Sequence, residues 1–247
     1  MRLHTPILGL TSVLLVSMAS VPVSAADLDE DRVRELVLEV IRDRPEIVRE
    51  AIEELQRREV AEQQAAARRA VVANRQTLEA DPNAPSLGSE AGTAVVEFFD
   101  YNCSFCKRAM EPVKALIEDD GDVRLVMREF PILGPGSVFA ARAALAAREQ
   151  GRYEDVHWAL MGHQGQVSEE VVRDTVADLG LNIEKLERDM RAPQVEEHIA
   201  TSMRLAQELA INGTPSFVVG DEIAPGLVPL ERLRQLVAAA RARPVAR

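Results

Sequence analysis

The chain has 247 residues, a formal net charge of −11, 47% hydrophobic residues and only 4% aromatic residues. This length is enough for one large domain or two small ones, and the composition is that of an ordinary globular protein. Nucleic acid is not expected as a partner, because phosphate binding needs a basic patch and base stacking needs aromatic side chains.

The N-terminal residues have the pattern of a secretory signal peptide. Arg2 precedes an apolar run from Ile7 to about Met18, and a small-residue site, Val23-Ser24-Ala25, follows that run. The run is shorter than the roughly 18 to 20 residues of a membrane anchor, which is the alternative interpretation. The sequence therefore predicts a signal peptide at residues 1–25 and export of the mature protein to the periplasm.

Residues 26–82 are predicted to form an N-terminal α-helical segment. Apolar residues recur at helical spacing on both sides of Pro45, which suits the first turn of a second helix, and that helix could exceed 30 residues. The pattern leaves open whether this apolar stripe folds back on its own domain or forms an oligomerisation stalk between copies. The apolar stripe comprises Val33, Leu36, Val37, Val40, Ile41, Ile47, Val48, Ala51, Ile52 and Leu55.

Residues 83–247 are predicted to form an α/β domain with an α-helical insertion. Asp81–Gly92 contains two prolines and two glycines and indicates a linker. A buried strand at 93–99, a helix, a strand at 122–130, helices over about 137–209, two short strands from 216 and a closing helix at 229–243 follow in that order.

The two cysteines of the chain, Cys103 and Cys106, stand three positions apart in "FFDYNCSFCK". A structural disulfide would gain little here, because the loop that it closes is very short. Zinc needs about four ligands, and neither a second cysteine pair nor suitably spaced histidines accompany the motif. Copper(I) stays open as an alternative, since it accepts soft thiolates at low coordination number.

A redox role is favoured by the position of the motif after a predicted buried strand. A helix that opens near Cys103 would direct its dipole and its free backbone N–H groups at the sulfur and stabilise the thiolate. Cys103 would then attack a substrate disulfide, and Cys106, one helical turn later, would resolve the mixed disulfide.

"VVEFFDYNCSFCK" together with "GTPSFVVG" resembles the DsbA-like branch of the thioredoxin superfamily, from about Ala94 to the C-terminus. The resemblance implies a thioredoxin fold with a helical insertion. It also implies a cis peptide bond before Pro215, which with Thr214 would form a platform for an extended substrate strand. No metal and no cofactor are expected for such an activity.

Glu97 lies six residues before Cys103, where DsbA-like proteins carry an acid. Burial in the predicted strand would raise the pKa of this carboxyl and allow it to relay the proton of Cys106. The alternative is a solvated charge at the end of the strand, because buried acids are uncommon.

The resemblance implies a thiol-disulfide oxidoreductase that acts on exported proteins carrying thiols or disulfides and is reset by a membrane or periplasmic redox partner. The dipeptide Ser104-Phe105 departs from the strong oxidant DsbA, which has a histidine between its cysteines. Weaker stabilisation of the thiolate makes a milder oxidant, which suits isomerisation or reduction.

The layout is also similar to the suppressor-of-copper-sensitivity proteins of type C, in which an N-terminal helical segment precedes the same domain. Some of these proteins trimerise through that segment, so the resemblance implies a homo-oligomer with several active sites facing one substrate. Two alternatives remain open for the function. One is a DsbA-type disulfide oxidase, and the other is a non-enzymatic Cu(I)-binding protein that uses the same thiolates.

Overall fold

A computed structural model describes residues 29–242. The predicted signal peptide lies outside the described residues. Within the described range, none of the helices combines the length and the apolar character that crossing a membrane requires. The chain divides into two compact units, with the boundary between Arg57 and Arg58.

The first unit contains helix α1 (Glu30–Asp43) and the beginning of helix α2 (Glu46–Ala80). The Asp29 side chain caps α1 by accepting a hydrogen bond from the Asp31 N–H group. The predictions of a break at Pro45 and of a second helix longer than 30 residues are confirmed, since α2 has 35 residues. Helix α1 buries no residue, and the larger side chains of the apolar stripe are between 37% and 58% exposed.

The second unit is built on a five-stranded sheet in the order β1-β3-β2-β4-β5. Strands β2 and β3 are parallel, and the other neighbouring pairs are antiparallel. The strands are β1 (Ser86–Gly88), β2 (Thr93–Phe99), β3 (Val123–Glu129), β4 (Ser216–Val219) and β5 (Glu222–Pro225).

Helices surround this sheet, and the fold class predicted from the sequence is confirmed. The helical insertion expected at about 137–209 runs from Pro135 to Glu208. Outside the insertion are α3 (Ser104–Asp119) and α9 (Leu230–Ala242). The insertion comprises α4 (Pro135–Ala147), a 3₁₀ turn (Arg148–Gln150), α5 (Tyr153–Gly162), α6 (Glu169–Asp178), α7 (Ile183–Asp189) and α8 (Pro193–Glu208).

Strand β2 is apolar on both faces because both faces of the sheet are covered. Val95 and Phe99 belong to the larger core cluster, which contains residues of α3, of α9 and of the insertion. Val96 and Phe98 belong to a second cluster on the other face, where Leu78 of α2 is 1% exposed. The last turns of α2 are therefore part of the second unit's core.

The prediction of a linker at Asp81–Gly92 is wrong. Strand β1 lies inside this segment and pairs with β3, with Leu87 opposite Leu125. Asp81 also accepts a hydrogen bond at 2.6 Å from the guanidinium group of the buried Arg128. A three-residue edge strand among prolines and glycines is too short to show a period in the sequence.

Candidate active site

Cys103 is the N-cap residue of α3, directly after the turn that follows β2. Its backbone N–H group donates to the Asp100 carbonyl oxygen at 3.0 Å and closes that turn. The position predicted for the first cysteine, at a helix N-terminus after a buried strand, is the one that the structure shows.

The surroundings of Cys103 lower the pKa of its thiol to about 5. The largest cause is the hydrogen bond from the Cys106 thiol, which partial burial of the sulfur opposes. A side-chain hydrogen bond from Thr214 and the backbone N–H groups of Cys106 and Phe105 lower the pKa further. At pH 7 Cys103 is therefore mainly the thiolate, which is the nucleophilic form.

The surroundings of Cys106 shift its pKa in the direction opposite to that of Cys103. Both cysteines are free thiols in the structure. The Cys106 side chain is 1% exposed and faces the larger core cluster. Burial raises the pKa of the Cys106 thiol, and the hydrogen bond to Cys103 and the charge of Glu97 raise it further. Cys106 thus keeps its proton, which it can share with the sulfur of Cys103.

Glu97 lies in the middle of the sheet, between Met127 of β3 and Phe217 of β4. Because side chains alternate along a strand, it shares the face of Val95 and Phe99, on which α3 packs. The residue is 5% exposed, and burial raises the pKa of its carboxyl to about 8. The alternative of a solvated charge is wrong, while the proton relay stays a prediction.

The loop before β4 places Thr214 and Pro215 beside the N-terminus of α3, and the expected cis peptide bond between them is confirmed. In its thiol form, the Sγ of Cys103 donates to the Thr214 carbonyl oxygen at 3.2 Å, across 111 positions of sequence. The Pro215 carbonyl oxygen accepts from the Gly226 N–H group at 2.8 Å, which ties the loop to the end of β5. The two sequence motifs therefore meet at one site.

Asp100 supports the cysteine motif in a way that the sequence analysis missed. Its carboxylate accepts from the Asn102 N–H group and the Ser137 hydroxyl, both at 2.7 Å, and from the Leu133 N–H group at 2.9 Å. These bonds join the turn before Cys103 to the start of the helical insertion. The sequence signals only a turn here, because aspartate after a strand is common in turns and its partners are distant.

Asn102 makes a second connection from the motif to the insertion. Its side-chain oxygen accepts from the Val167 N–H group at 2.7 Å, and its side-chain nitrogen donates to the Val167 carbonyl oxygen at 3.1 Å. Gly136 lies so close to Val167 that a Cβ atom added to the glycine would be 2.4 Å from the Val167 carbonyl oxygen. A side chain at Gly136 would therefore displace Val167 and disrupt its two hydrogen bonds with Asn102.

A buried polar cluster lies behind the motif. The Tyr101 hydroxyl is 2.9 Å from Glu129 Oε1 and 3.1 Å from His157 Nδ1, and the Tyr153 hydroxyl is 3.1 Å from the same Glu129 oxygen. Burial raises the pKa of Glu129 well above its usual value and lowers the pKa of His157 to about 3. Burial thus favours the uncharged form of both groups, and hydrogen bonds satisfy the cluster.

Between residues 29 and 242, no group of three or more histidine, cysteine and acidic side chains could hold a metal ion. The chemistry that the described site offers is that of its two sulfur atoms. One sulfur, in a residue that is 7% exposed, is a nucleophile, and the other is a protonated thiol beside it.

The chain belongs to the family of DsbA-like thioredoxin domains, whose model matches residues 94–238. The matched range contains both cysteines and the Thr214–Pro215 bond. The match places the chain in a family of thiol-disulfide oxidoreductases.

Solved structures with the same architecture include a thioredoxin-like oxidoreductase from Silicibacter pomeroyi DSS-3. It is 56% identical, with a TM-score of 0.68 over 69% of this chain and 99% of that one. The thiol-disulfide exchange protein alpha-DsbA2 from Wolbachia pipientis is 30% identical, with a TM-score of 0.67 over 71% and 96% of the two chains. Proteus mirabilis ScsC in a transitional conformation is 27% identical, with a TM-score of 0.64 over 86% and 97%.

Curated relatives at similar sequence identity carry the name of a membrane transporter. The Na(+)/H(+) antiporter NhaA 3 of Salinispora tropica is 34% identical over 170 residues, which are 63% of this chain and 25% of that protein. NhaA 1 of Salinispora arenicola is 32% identical over 162 residues, which are 61% and 24%. The chain spans about a quarter of the length of the curated relatives that it matches, so the antiporter name describes much longer proteins.

Proposed function

We propose that the protein is a periplasmic thiol-disulfide isomerase or reductase of exported proteins. The observation that carries the proposal is the Cys103 sulfur, whose pKa lies near 5, hydrogen-bonded to the protonated Cys106 and held beside the Thr214–Pro215 loop. The predicted signal peptide at residues 1–25 supports the location. A membrane or periplasmic partner would restore the dithiol after each reductive cycle.

The first step is attack of the Cys103 thiolate on one sulfur of a client disulfide. A bond forms between the Cys103 sulfur and that client sulfur, the client's S–S bond breaks, and the second client sulfur leaves as a thiolate. In isomerisation this thiolate attacks another disulfide of the client, and a different client thiolate finally displaces Cys103. In reduction Cys106 attacks Cys103, releases a client dithiol and leaves the protein oxidised.

Attack by Cys106 requires loss of its proton, and we assign Glu97 as the acceptor. The carboxyl lies on the same face of the sheet as the packed side of α3, and its charge raises the pKa of Cys106. Proton transfer between the two groups takes a hydrogen-bonded contact or one bridging water. With a pKa of about 8, the carboxyl is mostly protonated at pH 7, so its ionised fraction, which grows as the pH rises, is the form that accepts this proton.

The preference for isomerisation or reduction over oxidation rests on the stability of the thiolate. The pKa of about 5 at Cys103 lies between the values of roughly 3.5 for DsbA and about 7 for thioredoxin. A less stabilised thiolate makes the dithiol form less favoured, and therefore the disulfide form a weaker oxidant. Phe105, between the cysteines, is half exposed and stacks under the Arg108 guanidinium group. Its side chain is a hydrocarbon ring and therefore supplies no hydrogen-bond donor to the Cys103 sulfur.

The exposed apolar stripe supports a homo-oligomer, in which the N-terminal helices of several copies cover one another's stripes. Exposed apolar surface of this extent along two helices is unusual for a monomer. Several active sites in one assembly would raise the local concentration of thiolate around a bound client. Repeated attack on wrong disulfides would then be favoured over a single exchange.

The test is reactivation of scrambled, fully oxidised ribonuclease by the reduced protein, with Cys103→Ser as the control. We expect the wild type to restore ribonuclease activity and the variant to restore none, because the variant lacks the attacking thiolate. A parallel assay starts from reduced ribonuclease and the oxidised protein.

Three results would contradict the proposal. Rapid oxidation of reduced ribonuclease without repair of the scrambled form would identify a DsbA-type oxidase. Equal reactivation by wild type and Cys103→Ser would exclude the assigned nucleophile. Inactivity in both assays, with tight stoichiometric Cu(I) binding, would favour the non-enzymatic copper protein.

A further inference from the structure

A pocket of about 680 Å³ lies beside the cysteine motif, between the beginning of α3 and the loop that precedes α6. Its lining includes no residue of the Thr214–Pro215 loop, so the two are separate surfaces. We call it the basic pocket. It is lined by Asn102, Ser104, Lys107, Arg108, Leu133 and residues 164–166.

The wall at residues 164–166 is held in place by the two residues that flank the cysteine pair. The Lys107 ammonium group donates to the His163 carbonyl oxygen at 2.7 Å and to the Gly165 carbonyl oxygen at 2.6 Å. Asn102 holds the next part of the loop through its two hydrogen bonds with Val167. The position of this wall relative to the reactive sulfur is therefore set by the motif itself.

The charge of the basic pocket comes from Lys107 and Arg108, since its other lining residues are uncharged. In the part of the chain that the structure describes, neither cation forms an ion pair with a carboxylate, although the whole chain carries a net charge of −11. Burial lowers the pKa of Lys107, because water solvates its ammonium group incompletely. The pocket thus lacks a counter-ion of its own.

Both cations keep hydrogen-bond donors for a ligand. An ammonium group has three N–H donors, and Lys107 uses two of them on carbonyl oxygens. The Arg108 guanidinium group stacks on the Phe105 ring at 4.4 Å and, within residues 29–242, donates no hydrogen bond. A carboxylate would accept from these donors and supply the missing counter-charge, and such charge-assisted bonds are stronger than neutral ones.

The basic pocket adjoins the sulfur that attacks the client. Asn102 and Ser104 line the pocket, and they are the neighbours of Cys103 in the chain. When Cys103 is bonded to a client cysteine, the client residues next to that cysteine are therefore within reach of the pocket.

We infer that the basic pocket binds the carboxylate of an aspartate or glutamate next to the reacting cysteine of a client. The inference rests on the proposed exchange activity and adds a substrate class to it, namely disulfides in acidic segments. Arg108 and the remaining donor of Lys107 determine this specificity. The attraction acts mainly on formation of the mixed disulfide, because complementary charge speeds the encounter.

The first experiment compares three short peptides with one internal disulfide, which differ only in having glutamate, glutamine or lysine beside their cysteines. The reduced protein passes two electrons and two protons to each peptide, whose disulfide becomes a dithiol while Cys103 and Cys106 form a disulfide. Each second-order rate constant is divided by that of dithiothreitol with the same peptide. This ratio removes the effect of the neighbouring charge on the peptide disulfide itself.

We expect the glutamate peptide to react about threefold faster than the glutamine peptide at low ionic strength, and the lysine peptide to be the slowest. The preference should nearly vanish in about 0.5 M salt, where charges are screened within roughly 4 Å.

The second experiment changes the charge of the basic pocket. Arg108→Gln removes its exposed cation, and Gln164→Glu places a carboxylate in the wall that faces it. We expect both variants to lower the ratio of the glutamate rate to the glutamine rate to about one. The matched control is Arg188→Gln, which removes an exposed arginine of α7 that does not line the pocket and should keep the wild-type ratio.

The outcomes separate the inference from the proposed function. A wild type that reduces none of the peptides, although dithiothreitol reduces all three, would contradict the exchange activity itself. Equal normalised rates for the three peptides would overturn the inference alone. A glutamate preference that survives in Arg108→Gln or in Gln164→Glu, or that falls equally in Arg188→Gln, would show that it arises outside the basic pocket and would also overturn the inference.

Discussion

The thiols of Cys103 and Cys106 are one helical turn apart, and their pKa values are displaced in opposite directions. At Cys103, hydrogen bonds from Cys106 and Thr214 and two backbone N–H groups outweigh the effect of partial burial. At Cys106, burial dominates, and the neighbouring charges add to it. The position of each sulfur relative to the first turn of α3 thus explains why the Cys103 thiol loses its proton readily while the Cys106 thiol keeps its proton.

The ionisation of Cys103 gives a direct prediction for the pH dependence of its reactivity. The thiolate fraction rises with pH through a midpoint of about 5, so the alkylation rate by iodoacetamide should already be near its plateau at pH 7. Cys106→Ala removes the largest stabilising hydrogen bond and should move this midpoint upward. Cys106→Ser keeps a donor at the same place and should move it less.

Alkylation rates of the reduced protein measured from pH 3.5 to 9.5 check this prediction. Cys103→Ser should remove the titration below pH 7 altogether. A wild-type midpoint near 8.5, or identical midpoints for the alanine and serine variants of Cys106, would show that the hydrogen bond between the sulfurs does not control the ionisation.

Glu97 should make the folded protein less stable as the pH rises. Its folded pKa of about 8 lies above the ordinary value of 4.5, so the folded state binds the proton more tightly than the unfolded state. The cost of this buried carboxyl is absent below pH 4.5, grows as the pH rises from there, and levels off above pH 8. The full cost is on the order of 5 kcal/mol.

Glu97→Gln should therefore gain stability relative to the parent between pH 5 and pH 8.5. Urea unfolding of both proteins across this range measures the difference in the free energy of unfolding. Both proteins should carry Cys103→Ser, because the Cys103 thiolate titrates in the same range with the opposite sign. A difference that stays constant with pH would mean that Glu97 is not buried as a protonated carboxyl.

At the scale of elements, the end of α2 is fastened to the sheet by Arg128 of β3. The guanidinium group has no exposed side-chain surface and donates to Asp81 Oδ2 at 2.6 Å. It also donates to the Thr77 carbonyl oxygen, and to the Leu78 carbonyl oxygen at 3.4 Å. A buried cation thus caps the C-terminal carbonyl groups of α2, where positive charge is favoured.

Asp81→Ala should destabilise the protein strongly, by about 3 to 5 kcal/mol, because it leaves the buried Arg128 charge without its counter-ion. The matched control is Asp119→Ala, which removes the partner of Arg234 from an exposed ion pair at 2.6 Å. That variant should lose no more than about 1 kcal/mol. Equal midpoints of thermal unfolding for the two variants would contradict a special role of the buried pair.

These elements also show what a sequence can and cannot reveal. The strands β2 and β4 and the two site motifs could be predicted, because each is a contiguous pattern with its own period or spacing. Arg128 could not be recognised as a helix cap, since its partner Asp81 lies 47 positions earlier and a charge in a strand resembles a solvent-facing residue. The Tyr101–Glu129 bond was missed for the same reason, as it exists only after β2 and β3 pair.

At the scale of the whole molecule, the exposed apolar stripe of α1 and α2 gives a prediction for the proposed association of copies. If copies cover the stripe, an aspartate in its centre would be buried without a partner, at a cost that weakens association at least about 100-fold. Leu55→Asp should therefore reduce the molecular mass measured by light scattering to that of one chain. Gln56→Asp adds the same side chain at the next position and should leave the mass unchanged.

Analytical ultracentrifugation over a range of concentrations provides an independent check of this association. A wild type that sediments as a single chain at every concentration would contradict the proposed oligomer. So would equal dissociation of the Leu55→Asp and Gln56→Asp assemblies, because the effect would then come from charge rather than from the stripe.

The unequal burial of the two thiols also determines which of them peroxide oxidises first. Peroxide reacts with thiolates, so it should oxidise Cys103 to a sulfenic acid and spare the protonated, buried Cys106. The Cys106 thiol then condenses with that sulfenic acid, a disulfide forms and water leaves. A brief exposure to hydrogen peroxide should thus convert the protein to its disulfide form, from which a dithiol reductant can recover it, instead of destroying it.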